Sequence, residues 1–90
     1  MLVAIICNDK PGALQTRLDN RAAHLAHLKG SGLARQAGPF LDGAGEMCGS
    51  LIILEVADMA QAEDWAANDP YAKAGLFESV TIQRWNRVIG

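Results

Sequence analysis

The sequence predicts an α+β domain: an antiparallel sheet with two helices on one of its faces. Three observations lead there. Two apolar runs, Leu2 to Cys7 and Leu51 to Leu54, are continuous rather than alternating, as in strands covered on both sides. Two stretches of helical character each follow one of those runs. Two further strand-like stretches, near Leu33 and near Val80, complete a β-α-β-β-α-β order.

Each element has its own signals. Asn8-Asp9-Lys10-Pro11-Gly12 is turn chemistry and ends the first strand. A helix is expected from near Ala13 to Lys29, with Leu14, Leu18, Leu25 and Leu28 at helical spacing and Gly30-Ser31-Gly32 as its stop. Leu33 to Phe40 reads as the second strand, and Leu41 to Gly49, with Gly43, Gly45 and Gly49, as a loop. Ser50 to Val56 is the third strand. Asp58 is a good N-cap, with Gln61 three residues later in a capping-box pattern. The helix it starts carries Ala62, Trp65 and Ala66 on one side and stops near Asn68. Pro70 disfavours helical geometry at Asp69, so the chain breaks there before a short turn of helix. The last strand is expected from Phe77 to Val88, with Val80 and Ile82 alternating with Thr81 and Gln83. The order is that of the ferredoxin-like arrangement.

Residues 1–90 make one domain. A chain of this length buries only about 60–65% of the surface its unfolded form exposes, so association would stabilise it. Two helices cover one sheet face, yet the first and third strands are apolar on both. A homodimer packed sheet to sheet is the expected remedy.

Half of the residues are hydrophobic and 20% are charged, a globular composition. The formal net charge is −2, and Arg84 and Arg87 form no extended patch, which argues against nucleic acid or an anionic membrane as partner. Cys7 and Cys48 belong to no metal-binding spacing and read as free thiols of a reducing compartment. The apolar start is too short to cross a membrane and lacks a basic segment before it, so a cytoplasmic address is expected.

The first helix carries the candidate chemistry. At roughly 100° per residue the four leucines cluster within about 40° of one direction, and Arg21 lies within roughly 30° of it. One reading has the Arg21 stem snorkelling over the core, and the other has its fork binding an anionic group in a pocket. His24 lies roughly 85° off the apolar centre, one turn beyond Arg21. It is either a packed side chain at the edge of the stripe or a proton-transfer group, the task to which histidine is best suited near neutral pH. His27 points further out and is expected in solvent. No third ligand has a spacing that would complete a metal site with the two histidines. Asp69 has a full explanation as an N-cap before proline, and a second as a carboxylate that orients or charges His24. The Gly43 to Gly49 stretch matches neither a dinucleotide-binding nor a P-loop spacing.

Arg21-Ala22-Ala23-His24-Leu25, Ala37-Gly38-Pro39, Gly49-Ser50 and Asp69-Pro70-Tyr71 occur in the order seen in the YciI-like (YCII-related) family, as does the opening Asn8-Asp9-Lys10-Pro11-Gly12. The chain resembles that family over nearly its whole length. The resemblance implies a ferredoxin-like fold assembled as a dimeric α+β barrel. It also implies an active site built on His24 and Asp69, with Arg21 and Ser50 matching further family positions. Described chemistry among relatives includes removal of chloride from a chlorinated hydroxyquinol, and related barrels include muconolactone isomerases and small monooxygenases. The expectation is a cofactor-free enzyme performing elimination or isomerisation on a small organic acid or phenol. His24 would be the acid or base, Asp69 its orienting partner, and Arg21 and Ser50 would bind substrate. A non-catalytic small-ligand module and a cofactor-free monooxygenase are the competing expectations. The loop from Leu41 to Glu46 is shorter than in longer members, and if that loop shapes the pocket, substrate preference does not carry over.

Overall fold

The two apolar runs become the two central strands. In the computed structural model, which describes residues 1–90, the elements are β1 (Leu2–Asp9), α1 (Leu14–Gly30), β2 (Ala34–Leu41), β3 (Met47–Glu55), α2 (Met59–Ala67), α3 (Pro70–Lys73) and β4 (Phe77–Arg84). The sheet order is β2-β3-β1-β4 and every pairing is antiparallel. This is the ferredoxin-like arrangement that the sequence predicts.

Register decides which side chains meet. Val3, Ile5 and Cys7 stand opposite Leu54, Ile52 and Ser50, and directly opposed residues share a face. That face is the helix side. Val3, Ile5, Cys7, Ile52, Leu54 and Val56 form the core with Ala62 and Trp65 of α2, and Leu28 of α1 packs against it. The alternate residues, Ala4, Ile6, Leu51 and Ile53, line the other face, which no helix covers. There Ile6 and Leu51 are 37% and 38% exposed.

Local chemistry fixes the ends of the elements. Asp58 accepts from the Gln61 N–H at 2.8 Å, while the Gln61 side chain takes the Ala57 N–H, one residue before the cap. Asp69 adopts an extended conformation, and Pro70 occupies the first position of α3. The expected loop from Leu41 to Gly49 is shorter than anticipated, and β3 begins at Met47. Asp42 draws the turn tight: its side chain accepts from Ala44 N–H and Glu46 N–H, and its own N–H donates to the Glu46 carbonyl. The last strand stops at Arg84 rather than Val88, because β1 begins at Leu2 and offers nothing to pair beyond the Trp85 N–H to Leu2 carbonyl bond. No helix is long and apolar enough to cross a membrane.

The first helix departs most from expectation. Its buried residues are Arg17 and His24, while Leu18 and Leu25 are exposed and Leu14 and Leu28 only half-buried. The inward direction, midway between Arg17 and His24, lies roughly 75° from the leucine centre. Arg21 is exposed at the residue level, so the arginine in the interior is Arg17. His27, expected in solvent, is half-buried against Trp65.

Candidate active site

Arg17 and His24 are seven residues apart, two turns of α1, and therefore share a face about 10 Å apart along the axis. Tyr71, from the first turn of α3, enters that gap. Its ring stacks on the His24 imidazole at 4.0 Å with 14° between planes, and the Arg17 guanidinium carbon lies 4.6 Å from its ring centroid on a cation–π contact. The T-shaped contact with Phe77 at 6.1 Å steadies the ring further.

His24 and Asp69 meet as the sequence suggests. Nδ1 of His24 lies 2.8 Å from Oδ1 of Asp69, and both residues are buried. The same oxygen accepts the Tyr71 N–H at 2.9 Å. One oxygen thus both caps α3 and binds the histidine. A carboxylate can only accept, which assigns the proton to Nδ1 and leaves the Nε2 lone pair without a protein partner.

Arg17 is the centre of a second buried cluster. Its Nε and Nη2 donate to the two Asp9 oxygens at 2.7 and 2.9 Å, a bidentate pair, and Nη2 also donates to Ser50 Oγ at 2.9 Å. Burial works against the Arg17 charge, yet the bond and the charge of Asp9 outweigh it and raise its pKa above the ordinary value. Burial likewise pushes the Tyr71 phenol up, against the pull of Arg17 and Arg21. Cys7 lies beneath these groups, opposite Ser50 in the register. Burial, reinforced by Asp69 and Asp9 and opposed by Arg17, pushes its thiol up to about 12, so it is a protonated, unreactive neighbour at neutral pH.

These groups open onto one cavity of about 180 Å³. Its lining includes Arg17, Arg21, His24, Ser50 and Tyr71, and its apolar walls include Leu25, Leu28, Pro39 and Met47. The exposed Arg21 thus reaches the cavity from its rim. The Gly49-Ser50 step is needed by geometry: a Cβ at Gly49 would collide with the Cys7 carbonyl oxygen, so only glycine lets β3 run close enough to β1 to set Ser50 beside Arg17. A larger hollow of about 480 Å³ lies by Met1, Glu55 and Trp85, but it holds no histidine, and its terminal ammonium is tied to Glu55 at 3.1 Å. No three His, Cys, Asp or Glu side chains converge as a metal site would require.

The structure brings His24, Asp69, Arg21 and Ser50 to one place. Sequence reasoning missed Arg17, Asp9 and Tyr71. The one signal available was the polar stripe Arg17, Asn20, His24 and His27 on α1, which looks like a solvent face unless its partners on β1 and α3 are known.

The YCII-related domain model matches residues 1–86. Protein YciI of Escherichia coli O6:H1 is 37% identical, the alignment covering 98% of this chain and 99% of that protein. An uncharacterized protein of Haemophilus influenzae is 32% identical over the same shares. Among solved structures, 5-chloro-2-hydroxyhydroquinone dehydrochlorinase of Burkholderia phenoliruptrix, in complex with 2,5-dihydroxybenzoquinone, superposes with a TM-score of 0.89 at 38% identity, covering 96% of this chain and 94% of that one. An antibiotic biosynthesis monooxygenase has a TM-score of 0.62 at 18% identity, a likeness of fold alone.

Proposed function

The chain belongs to the YCII-related domain family, and from that premise we propose that it is a small enzyme of elimination or isomerisation acting on a single-ring phenol or small organic acid. The observation that carries this reading is the His24 imidazole: its Nδ1 is held by Asp69, and its unpartnered Nε2 belongs to a residue lining a cavity. That is the arrangement of a general base with an orienting carboxylate. The cavity volume supports the size of the substrate, since an apolar cavity of about 150 Å³ in another protein takes up benzene. The likeness to a dehydrochlorinase supports the reaction class.

In the proposed reaction, Nε2 of His24 takes a proton from the substrate. The electrons of the broken bond form a new double bond, and in an elimination the leaving group departs as an anion. Asp69 holds the ring in the tautomer that can accept. Arg21 at the rim meets the anionic oxygen of the substrate, and Ser50 binds an oxygen at the wall. The residues that carry these steps require no bound cofactor.

The test is chloride release from 5-chloro-2-hydroxyhydroquinone, followed with a chloride-sensitive assay in wild type and His24→Asn. Turnover that vanishes in the variant supports the reading. Binding of the ring without any release would turn the assignment to a ligand-binding module.

We further propose a homodimer packed through the uncovered sheet face, where Ile6, Leu51 and Phe40 stand exposed. The tail adds to the exposed apolar surface, with Val88 and Ile89 at 85% and 91%. Burying such surface is the main source of association energy. Sedimentation at micromolar concentration should report twice the chain mass, and a monomer would refute the proposal.

A further inference from the structure

Ser50 is 2% exposed and lines the cavity. A serine hydroxyl has one proton to donate and two lone pairs to accept with. Arg17 Nη2 already donates to its oxygen at 2.9 Å, and a guanidinium has no acceptor with which to take the serine proton in return. Arg17 is the one protein hydrogen-bond partner that the Ser50 hydroxyl has. Asp9 grips Arg17 through both of its oxygens, so the guanidinium is not free to turn away.

We infer that Asp9 and Arg17 form a positioning pair that fixes Ser50 as a hydrogen-bond donor into the cavity, so that this wall takes an oxygen acceptor, a ring carbonyl or phenolate oxygen, and not an N–H group. The inference rests on the proposed reading of the cavity as a ring-binding site, and it assigns the polarity of one wall. Buried polar groups demand a partner, and here the cavity is where the Ser50 proton finds one. The cavity then offers an acceptor, His24 Nε2, and a donor, the Ser50 hydroxyl, to a single ring. The ring oxygen bound by Ser50 is the atom on which negative charge builds when His24 removes a proton, and a donor fixed in advance stabilises that charge without reorganisation.

Two measurements test this. The first needs no ligand: a neutron structure of the deuterium-exchanged protein. A Ser50 deuteron directed into the cavity supports the inference, and one directed at a protein acceptor overturns it. The second is a mutant cycle read by the dissociation constant of 2,5-dihydroxybenzoquinone. Ser50→Ala should weaken binding about tenfold, the size expected for loss of one hydrogen bond to an anionic oxygen. Asp9→Leu/Arg17→Met removes both buried charges together, which buried pairs tolerate far better than loss of one partner. The double variant, checked for a cooperative thermal transition, should bind as weakly as Ser50→Ala. Adding Ser50→Ala to it should cost less than a further twofold. Independent, multiplying losses would mean that Ser50 donates without help from Arg17, and would overturn the positioning role alone. A wild-type protein that does not bind the quinone would instead sink the proposed reading of the cavity, while the neutron result still decides the direction of the hydroxyl.

Discussion

His24 and His27 stand one turn apart on the same helix, and the differences between their surroundings separate a candidate catalyst from a structural side chain. Both rings rest on an aromatic ring, His24 on Tyr71 at 4.0 Å and His27 on Trp65 at 4.4 Å. Both use one nitrogen in a hydrogen bond to a residue far away in sequence. His24 gives Nδ1 to the Asp69 carboxylate, while His27 gives Nε2 to the Trp65 carbonyl at 3.0 Å. Since both acceptors can only accept, the two rings are assigned opposite tautomers. The nitrogen left over on His24 belongs to a residue of the cavity lining, and His27 has no place in that lining. Stacking and a fixed tautomer are therefore common to both, and what distinguishes His24 is a carboxylate on one side and a cavity on the other.

The largest effect that would break this contrast is on turnover. His24→Asn should lower kcat/KM for the proposed substrate by at least about a hundredfold, the contribution typical of a positioned acid or base. His27→Asn should leave kcat/KM within about twofold and cost about 1 kcal/mol of stability through the lost Trp65 bond. Equal losses of activity in the two variants would erase the distinction.

Next in size is the stability of the arginine cluster. Arg17→Met alone leaves Asp9 buried without its cation and should destabilise by about 3–5 kcal/mol in denaturant unfolding. Asp9→Leu/Arg17→Met should recover most of that loss. If the single variant proves as stable as wild type, the buried pair does not hold the fold on this side of α1.

Asp69→Asn is a finer probe, because asparagine caps a helix about as well as aspartate does. The melting temperature should then change little while kcat falls roughly ten- to a hundredfold through the lost carboxylate. A large drop in melting temperature with normal kcat would assign Asp69 to capping alone.

The smallest effect concerns the two thiols. Cys48 is partly exposed and should react with a thiol reagent in the native state, whereas Cys7 should react only on unfolding. Burial raises Cys7 from 9.0 to about 12 in the folded chain. The folded state therefore keeps the proton that the unfolded state loses. The resulting stability is fully present below pH 9 and declines as the pH rises from there towards 12. Unfolding curves for wild type and Cys7→Ala should converge over that range as the pH is raised. A difference independent of pH would remove Cys7 from the electrostatics beneath the site.

Much of the fold was legible in the chain. Leu2 to Cys7 and Leu51 to Leu54 are central strands for the reason their composition suggests, and Asp58 and Asp69 cap the helices that their side chains announce. Those signals are local: each depends on residues within a few positions. The resemblance in Arg21 to Leu25 and Asp69 to Tyr71 also pointed to the His24–Asp69 bond, which periodicity alone left undecided. Helical periodicity misled at α1, where four leucines suggested the buried side.

The sequence by itself determined the β-α-β-β-α-β order, the helix caps and the identity of the two inner strands, because hydrogen-bonding caps and apolar runs act over short range. Only the tertiary structure decided how α1 is rotated about its axis. That rotation depends on Asp9 at the end of β1 and Tyr71 on α3, which supply the partners that make it affordable to bury Arg17 and His24. A charged or polar side chain enters the interior only where its complement already waits, and no spacing within one helix can reveal a partner brought by another element.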